Sequence, residues 1–523
     1  MSAVVPTPIL LATLNARWSH ASLGLRCLRA NLGALREASA IVEYTIARPV
    51  EEIVDDLLAR SPRVVGLGVY IWNVTQTTRV VERLKARAPQ VTVVLGGPEV
   101  SHEVERQRIC QLADYVITGW GDVTFAKLAQ QILHGPRPLM KVHAGEQPPL
   151  EQLALPYAEY DATDIARRHL YVEASRGCPF KCEFCLSALD KTAWPFPLEA
   201  FVASLAQLWQ RGARTFKFVD RTFNLKSDTA AAILDFFLAK LDADPSDPPF
   251  VHFELIPDHL PERLRERIAR FPAGTLQFEI GIQSWNETVQ ALISRRQDNA
   301  QAEANLRWLR THTQAHLHVD LIAGLPGEDL ASFARGFDRL LLLAPHEIQL
   351  GILKRLRGAP IARHTQTFAL DFNPAPPYEV RSTRDIDAAT MQRLAQAAQL
   401  WDRVANAGRL PRSVALLLGA ADASTGAAFL RFLDFADAVA AATGRGHSLA
   451  LEDLAQRLHH HLVQARGLPA AAITQALGQD YAESGARGRL EVDGARLAPG
   501  RPDARRAPFA CAALPRQVQH LAR

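Results

Sequence analysis

The chain has 523 residues, 48% of them apolar and 22% charged, the balance of a soluble globular protein with about three or four domains at roughly 150 residues each. Its 59 basic and 55 acidic side chains leave a formal charge of only +4, which argues against a dedicated nucleic-acid binder. No stretch approaches the ~20 uninterrupted apolar residues of a membrane span, and the opening MSAVVPTPILLATLN reads as a first strand rather than a signal peptide.

Residues 1–140 alternate short apolar runs with amphipathic ones. Strands are predicted at 9–14, 64–70, 91–95 and 115–117, and helices at 23–35 and 78–88. Such alternation predicts an α/β, doubly wound parallel sheet. Glycine-bearing turns close its strands: Gly66 and Gly68, Gly96-Gly97-Pro98, and Gly119-Trp120-Gly121. Ligands of such sheets bind at the carboxyl ends of the strands, where these turns lie. Residues 141–168, rich in proline and charge, read as a linker.

A second alternating region spans residues 169–372. Its strands are predicted at 170–175, 215–219, 250–255, 276–282, 315–322 and 347–352, with helices such as 197–210 and 228–241 between them. Six strand–helix units predict a partial (β/α)6 barrel, with its chemistry on the loops after the strands. The run NPAPPYE from Asn373 then breaks the pattern. Residues 373–523 are predicted to be mostly α-helical, with helices at 388–404 and 451–462 and a partly disordered tail after Gly485.

Six cysteines are present, and Cys27, Cys110 and Cys511 are scattered singly. The other three crowd into Glu173-Ala-Ser-Arg-Gly-Cys178-Pro-Phe-Lys-Cys182-Glu-Phe-Cys185. That C-x3-C-x2-C run, directly after a strand, points to metal or redox chemistry rather than to a disulfide framework. Thiolates suit iron–sulfur clusters or zinc. A structural zinc site wants four ligands, and His169 is a candidate fourth. Three thiolates on a four-iron cluster instead leave one iron without a protein ligand.

On these residues the chain resembles the radical S-adenosylmethionine (SAM) superfamily, over about residues 170–360. The resemblance implies a [4Fe–4S] cluster on Cys178, Cys182 and Cys185 whose open iron chelates SAM. Later strand ends match the family's SAM-binding positions in order. Phe218-Val219-Asp220 offers Asp220 in place of the usual Gly-Gly-Glu. Phe253-Glu254-Leu255-Ile256-Pro257 resembles I-E-x-x-P. Glu279-Ile-Gly-Ile-Gln283-Ser284 resembles G-[IV]-Q-S, and Ser294-Arg295-Arg296-Gln297 resembles N-R-x-Q. Val319-Asp320 through Gly327 resembles D-L-I-x-G-L-P-G. By resemblance Gln283 and Asp320 meet the ribose or methionine end of SAM, and Arg295 its carboxylate. These roles suit the donors: hydroxyls pair with short carboxylates and amides, and a carboxylate with a forked guanidinium.

A doubly wound domain ahead of such a barrel is similar to the cobalamin-binding domain of cobalamin-dependent radical SAM enzymes. Gly96 and Gly97 are the small residues that would open a slot for the corrinoid's nucleotide tail. The D-x-H-x-x-G element is missing. His20, in the loop after the first strand, is either a cobalt ligand or a polar residue at the cofactor's edge, and the resemblance favours cobalamin bound without a protein histidine. Trp72 and Asn73 lie at the expected cofactor face, or else serve as a core aromatic and a turn residue. The region around Tyr378 resembles an uncharacterised domain appended to a subgroup of these enzymes.

The family scheme implies methylation of an unactivated carbon or phosphorus centre through methylcobalamin and a 5′-deoxyadenosyl radical. It also implies a small-molecule or lipid-like substrate, an electron donor such as flavodoxin or ferredoxin, and a cytoplasmic location. A non-methylating rearrangement or cyclisation on the same cofactors is the first alternative. A non-catalytic iron–sulfur or corrinoid sensor is the second. No second cysteine triad exists for a methylthiotransferase.

Overall fold

The computed structural model describes residues 7–190, 192–443, 449–486 and 488–497. They fall into two units. One lies within Met1–Arg221, Arg355–Pro360 and Asn373–Tyr378, the other within Thr222–Lys354, Ile361–Phe372 and Glu379–Arg523.

The first unit is built on a parallel sheet of β1 (Ile9–Asn15), β2 (Ser39–Thr45), β3 (Val64–Gly68), β4 (Thr92–Gly96), β5 (Tyr115–Thr118) and β6 (Val142–Ala144), in the order β2-β1-β3-β4-β5-β6. All seven residues of β1 are buried, as expected of a parallel strand covered on both faces. Its side chains alternate between two cores. Leu10, Ala12 and Leu14 face one, and Ile9 and Leu11 the other. The chain leaves β1 for β2 on one side and returns to β3 on the other. That reversal opens a crevice at the strands' carboxyl ends.

Several elements differ from the sequence-based expectation. β2 is an additional strand whose burial alternates, and its charged and polar residues mask it in a search for apolar runs. The helix predicted at 23–35 spans Leu23–Ala30, followed by a 3-10 turn at Gly33–Ala38. Residues 141–168, read as a linker, hold β6 and the helix Ala162–Arg167, which Asp161 and Asp164 close with a capping box. The polar residues there pair inside the protein. Arg26 donates to Glu43 (2.9 Å) and Asp164 (2.5 Å), and Arg168 donates to the same two carboxylates (2.7 and 2.9 Å). Burial would raise Glu43, but Arg26 and Arg168 outweigh it and hold the carboxyl down at about 2.

Two buried tyrosines brace the strand that leads to the cysteines, β7 (Leu170–Val172). The Tyr160 hydroxyl donates to the Tyr171 carbonyl (2.6 Å), and that of Tyr157 to the Glu173 carbonyl (3.1 Å). The strand predicted at 170–175 is split. Beyond Val172 the chain turns, and β8 (Ser175–Gly177) pairs antiparallel with β9 (Ala193–Pro195). β10 (Thr215–Phe218) lies parallel to β7.

Two later segments return to this unit. Arg357 donates to Glu99 (2.9 Å) and Glu103 (2.7 Å), Arg355 to Glu103 (2.7 Å), and the Tyr378 hydroxyl to Glu99 (2.5 Å).

In the second unit β11 (Phe250–Leu255), β12 (Leu276–Gln283), β13 (His316–Ala323) and β14 (Glu347–Ile352) run parallel in consecutive order. Helices such as Ser227–Ala243, Asn299–His312 and Leu330–Leu342 connect them. The region that follows is mostly helical, as predicted. The helix predicted at 388–404 spans Ala388–Trp401 and continues as a π-helical turn, Asp402–Asn406. Trp401 Nε1 and Asn406 Nδ2 donate to the Ile348 carbonyl of β14 at 2.8 and 3.0 Å. That covers polar backbone on an edge strand. Part of the predicted tail is a hairpin, Leu490–Val492 with Ala495–Leu497. The rest of it, Cys511 included, lies outside the described residues. Among the described residues no helix is long and apolar enough to cross a membrane.

Candidate functional site

The cysteine loop springs from the β8–β9 hairpin. Gly177 has φ +96°, and a Cβ there would lie 2.5 Å from the Thr192 carbonyl and 2.9 Å from the Trp194 ring. Only glycine lets the two strands close beneath the loop. The Cys185 amide donates to the Cys182 carbonyl (3.0 Å), which makes the turn between those two thiols. The Lys181 ammonium donates to the carbonyls of Ala188 (3.0 Å) and Asp190. Cys178 is buried, which pushes its thiol up to about 11. Cys182 and Cys185 are half-buried, and none of the five described cysteines forms a disulfide. Among the described residues no three His, Cys, Asp or Glu side chains converge on a single ion.

Asp220 is buried at the base of this hairpin. It accepts from the Ala174 amide (3.0 Å) and the Ser175 hydroxyl (2.6 Å), and burial pushes its carboxyl up to about 7.

At the carboxyl ends of β3, β4 and β5, against the helix Leu23–Ala30, lies a cavity of about 290 Å3. Glycines 66, 68, 96, 97, 119 and 121, from the ends of β3, β4 and β5, expose backbone along it. Gly97 adopts φ +112°, and a Cβ there would sit 2.5 Å from the Val69 carbonyl, so the strand ends can approach this closely only at glycine. Tyr70, Trp120, Asp122, Glu173 and Arg176 also line the cavity. Arg176 ties this wall to the cysteine loop. Its guanidinium donates to Asp122 (2.9 Å) and Glu173 (2.5 Å) and lies 4.8 Å from the Trp120 ring centre.

Of the other predicted cofactor residues in this unit, Gly96 and Gly97 line the cavity, whereas His20, Trp72 and Asn73 do not. The His20 ring faces the Tyr171 hydroxyl (Nδ1 to O, 2.6 Å), and its ring centre is 5.7 Å from that of His169. Burial and the charges of Lys217, Arg17 and Arg168 lower its pKa. Trp72 is half exposed and stacks on Tyr70, with ring centres 4.4 Å apart. Asn73 is fully buried. It accepts from the Tyr70 amide (2.8 Å) and donates to the carbonyls of Leu14 (3.0 Å) and Gly68 (3.2 Å), so it pins the ends of β1 and β3.

In the second unit the predicted residues gather at strand ends. In register, Glu254 lies opposite Glu279, Glu279 opposite His318, and Gly281 opposite Asp320. Gln283 adopts φ +69° where the β12–β13 register shifts, and its Oε1 is buried without a hydrogen-bond partner. Arg295 donates to the Gly281 carbonyl and to Gln297 Oε1 (3.0 Å). Gln283, Arg295 and Asp320 are thus neighbours around Gly281.

Sequence reading missed what holds Asp320. His318 Nε2 lies 3.3 Å from Asp320 Oδ1, and its Nδ1 lies 3.4 Å from Glu347 Oε2. Burial opposes a charge on His318, but the two carboxylates win and drive its pKa well above the usual histidine value. The alternation His316-x-His318-x-Asp320 was the available signal, since a period of two puts all three on one face of a strand. Glu328 was overlooked as well. It is buried, accepts from the Ser284 hydroxyl (2.6 Å), and burial pushes it up to about 7.

Comparison with known proteins finds two family matches along the chain. Residues 9–129 match the B12 binding domain, and residues 172–340 match the Radical SAM superfamily. The chain is 28% identical over 236 residues to an uncharacterized methyltransferase, PH0819, of Pyrococcus horikoshii, covering 39% of this chain and 51% of that protein. It is 24% identical over 351 residues to the cobalamin-dependent radical SAM methyltransferase TokK of Streptomyces tokunonensis, covering 59% and 49%. The chain thus spans about half the length of these curated relatives. Among solved structures, the cobalamin-dependent S-adenosylmethionine radical enzyme OxsB, with aqua-cobalamin and S-adenosylmethionine bound, shares the fold. Its TM-score is 0.58 at 12% identity, over 92% of this chain and 84% of that one.

Proposed function

Because the chain joins a B12-binding domain to a Radical SAM superfamily domain, we propose that it is a cobalamin-dependent radical SAM methyltransferase. Its target is an unactivated carbon or phosphorus centre of a small-molecule or lipid-like substrate. One observation carries this reading: within a single unit, the wall of a glycine-lined cavity is ion-paired to the root of a three-cysteine loop.

The residues fit the cofactors. Three soft thiols on one loop are the donor set for a [4Fe–4S] cluster with an open iron. Backbone exposed at glycines, beside a buried Asp122 oxygen that lacks a partner, suits an amide-rich ligand. A cavity of this size takes a flat nucleotide base with its sugar rather than a whole corrin ring. When bound, the cluster and cobalamin supply reductive cleavage of SAM and methyl transfer.

The chain's own residues bind and orient. Cys178, Cys182 and Cys185 hold the cluster, and Asp220 fixes the hairpin from which they project. Glu254, Gln283, Arg295 and Asp320 contact SAM, the Arg295 fork on its carboxylate. Gly96 and Gly97 admit the cobalamin tail. Trp72 shields the cofactor through its stack on Tyr70, and Asn73 keeps that turn rigid. His20, engaged with Tyr171, would stay at the cofactor's edge. A flavodoxin or ferredoxin supplies electrons in the cytoplasm.

The test is anaerobic purification with hydroxocobalamin, followed by iron and cobalt analysis and assay for 5′-deoxyadenosine. Wild type is expected to hold both metals and cleave SAM. Cys182→Ala is expected to keep cobalt but form no 5′-deoxyadenosine. Equal cleavage by both proteins, or no cobalt in wild type, would refute the assignment.

A further inference from the structure

Resting on that reading, we propose that Arg176 is a positioning residue that couples cobalamin binding in the cavity to the geometry of the cysteine loop. Three observations support it.

The first is connectivity. Arg176 lies two residues before Cys178 and pairs in the hairpin with Trp194. Its side chain crosses to the cavity wall, where Nη1 donates to Asp122 Oδ2 (2.9 Å) and Nη2 to Glu173 Oε1 (2.5 Å). A planar guanidinium that bridges two carboxylates fixes direction as well as distance, which an ammonium does not.

The second is a parallel aromatic path. The guanidinium lies over Trp120, and the Trp120 ring meets Trp194 edge-on, with centres 5.6 Å apart. Trp194 is the ring against which Gly177 is packed. A shift of Trp120 or Asp122 therefore reaches the loop by two routes. Close-packed groups of this kind transmit displacement rather than absorb it.

The third is an unfilled demand at the cavity. Asp122 is buried, and its Oδ1 has no hydrogen-bond partner. A buried acceptor left unpaired is costly, and the sugar hydroxyls of a corrinoid's nucleotide tail are donors that would satisfy it. A ligand hydroxyl that engages Oδ1 pulls on the carboxylate whose other oxygen holds Arg176. Occupancy of the cavity is thereby read at the residue that leads into the cluster loop.

Coupling of this kind is reciprocal: if cobalamin alters the cluster loop, the cluster alters cobalamin affinity by the same factor. The experiment measures hydroxocobalamin affinity by absorbance titration, with and without reconstituted cluster, for wild type and Arg176→Lys. Iron content and the EPR spectrum of the reduced cluster are recorded alongside. Wild type should show affinities that differ about fivefold or more between cluster-loaded and cluster-free protein, and an EPR signal that changes when cobalamin is added. Arg176→Lys should load iron and bind cobalamin, yet show a ratio near one and an unchanged signal.

Trp120→Phe keeps every ion pair and should lower the ratio; it serves as the readout should Arg176→Lys not fold. A wild-type ratio of one, or the same ratio in wild type and variants, overturns this inference and leaves the proposed function standing. Wild type that binds no cobalamin overturns both.

Discussion

Two clusters of buried carboxylates, one in each unit, are held in different ways. In the first, Glu43, Asp164, Asp122 and Glu173 are met by arginines. In the second, Asp320 and Glu347 share a histidine. An arginine keeps its charge at any pH a protein survives, whereas a histidine gives its charge up. The wall around the cavity and cysteine loop is therefore a fixed electrostatic frame, and the strand-end cluster is a titratable one. Where cofactors must be held at set positions, permanent charge suits the task. In the strand-end cluster, a protonated histidine holds Asp320 and Glu347 in place without supplying a permanent cation.

The contrast can be broken most forcefully at Arg26. Arg26→Met would leave Glu43 and Asp164 in the interior with Arg168 as their one remaining arginine, and breaking a buried pair from one side costs about 3–5 kcal/mol. Urea denaturation should show that loss, and a change below about 1 kcal/mol would mean that water already reaches the pair.

The second test is His318→Asn, expected to cost about 1–3 kcal/mol below pH 6.5, because two carboxylates lose a charged donor. The signs follow from linkage. His318 has a raised pKa when folded, so its contribution is complete below its unfolded value and fades as pH rises through the folded one. Glu43 is depressed to about 2 from 4.5, so its contribution is present above 4.5 and fades as pH falls toward 2. The variant should flatten the alkaline limb of the stability profile and leave the acid limb unchanged. An unchanged alkaline limb would show that His318 is neutral.

The smallest effect is a control that sharpens the comparison. Lys127 and Glu146 pair at 2.7 Å with both side chains half exposed or more, and Lys127→Ala should alter stability by under about 1 kcal/mol. A larger loss would mean that exposed pairs rival the buried frame.

Much of the architecture was legible because it rests on local periodicity. The cysteine spacing, the glycines after β3, β4 and β5, and the six strands after residue 169 are short-range patterns. What escaped depends on partners far apart in the chain. β2 reads as polar because Glu43 is paired with Arg26 and Arg168. Residues 141–168 look like a solvated linker until Asp164 and the two tyrosines find their partners. Arg176 stands in the cysteine motif as a flanking residue, and only the fold shows Asp122 and Trp120 beside it. His318 was visible as a pattern, but its charge depends on Glu347, which a neighbouring strand supplies.

The return of Arg357 and Tyr378 to Glu99 and Glu103 bears on how this protein is made. A ribosome that has released residue 221 has emitted nearly all of the first unit but not the groups that neutralise two of its carboxylates. At about 5–20 residues per second, roughly seven to thirty seconds of synthesis separate the two events. During that interval the nascent N-terminal half would be a client for chaperones, and a gene fragment cut at its apparent boundary would inherit that vulnerability permanently.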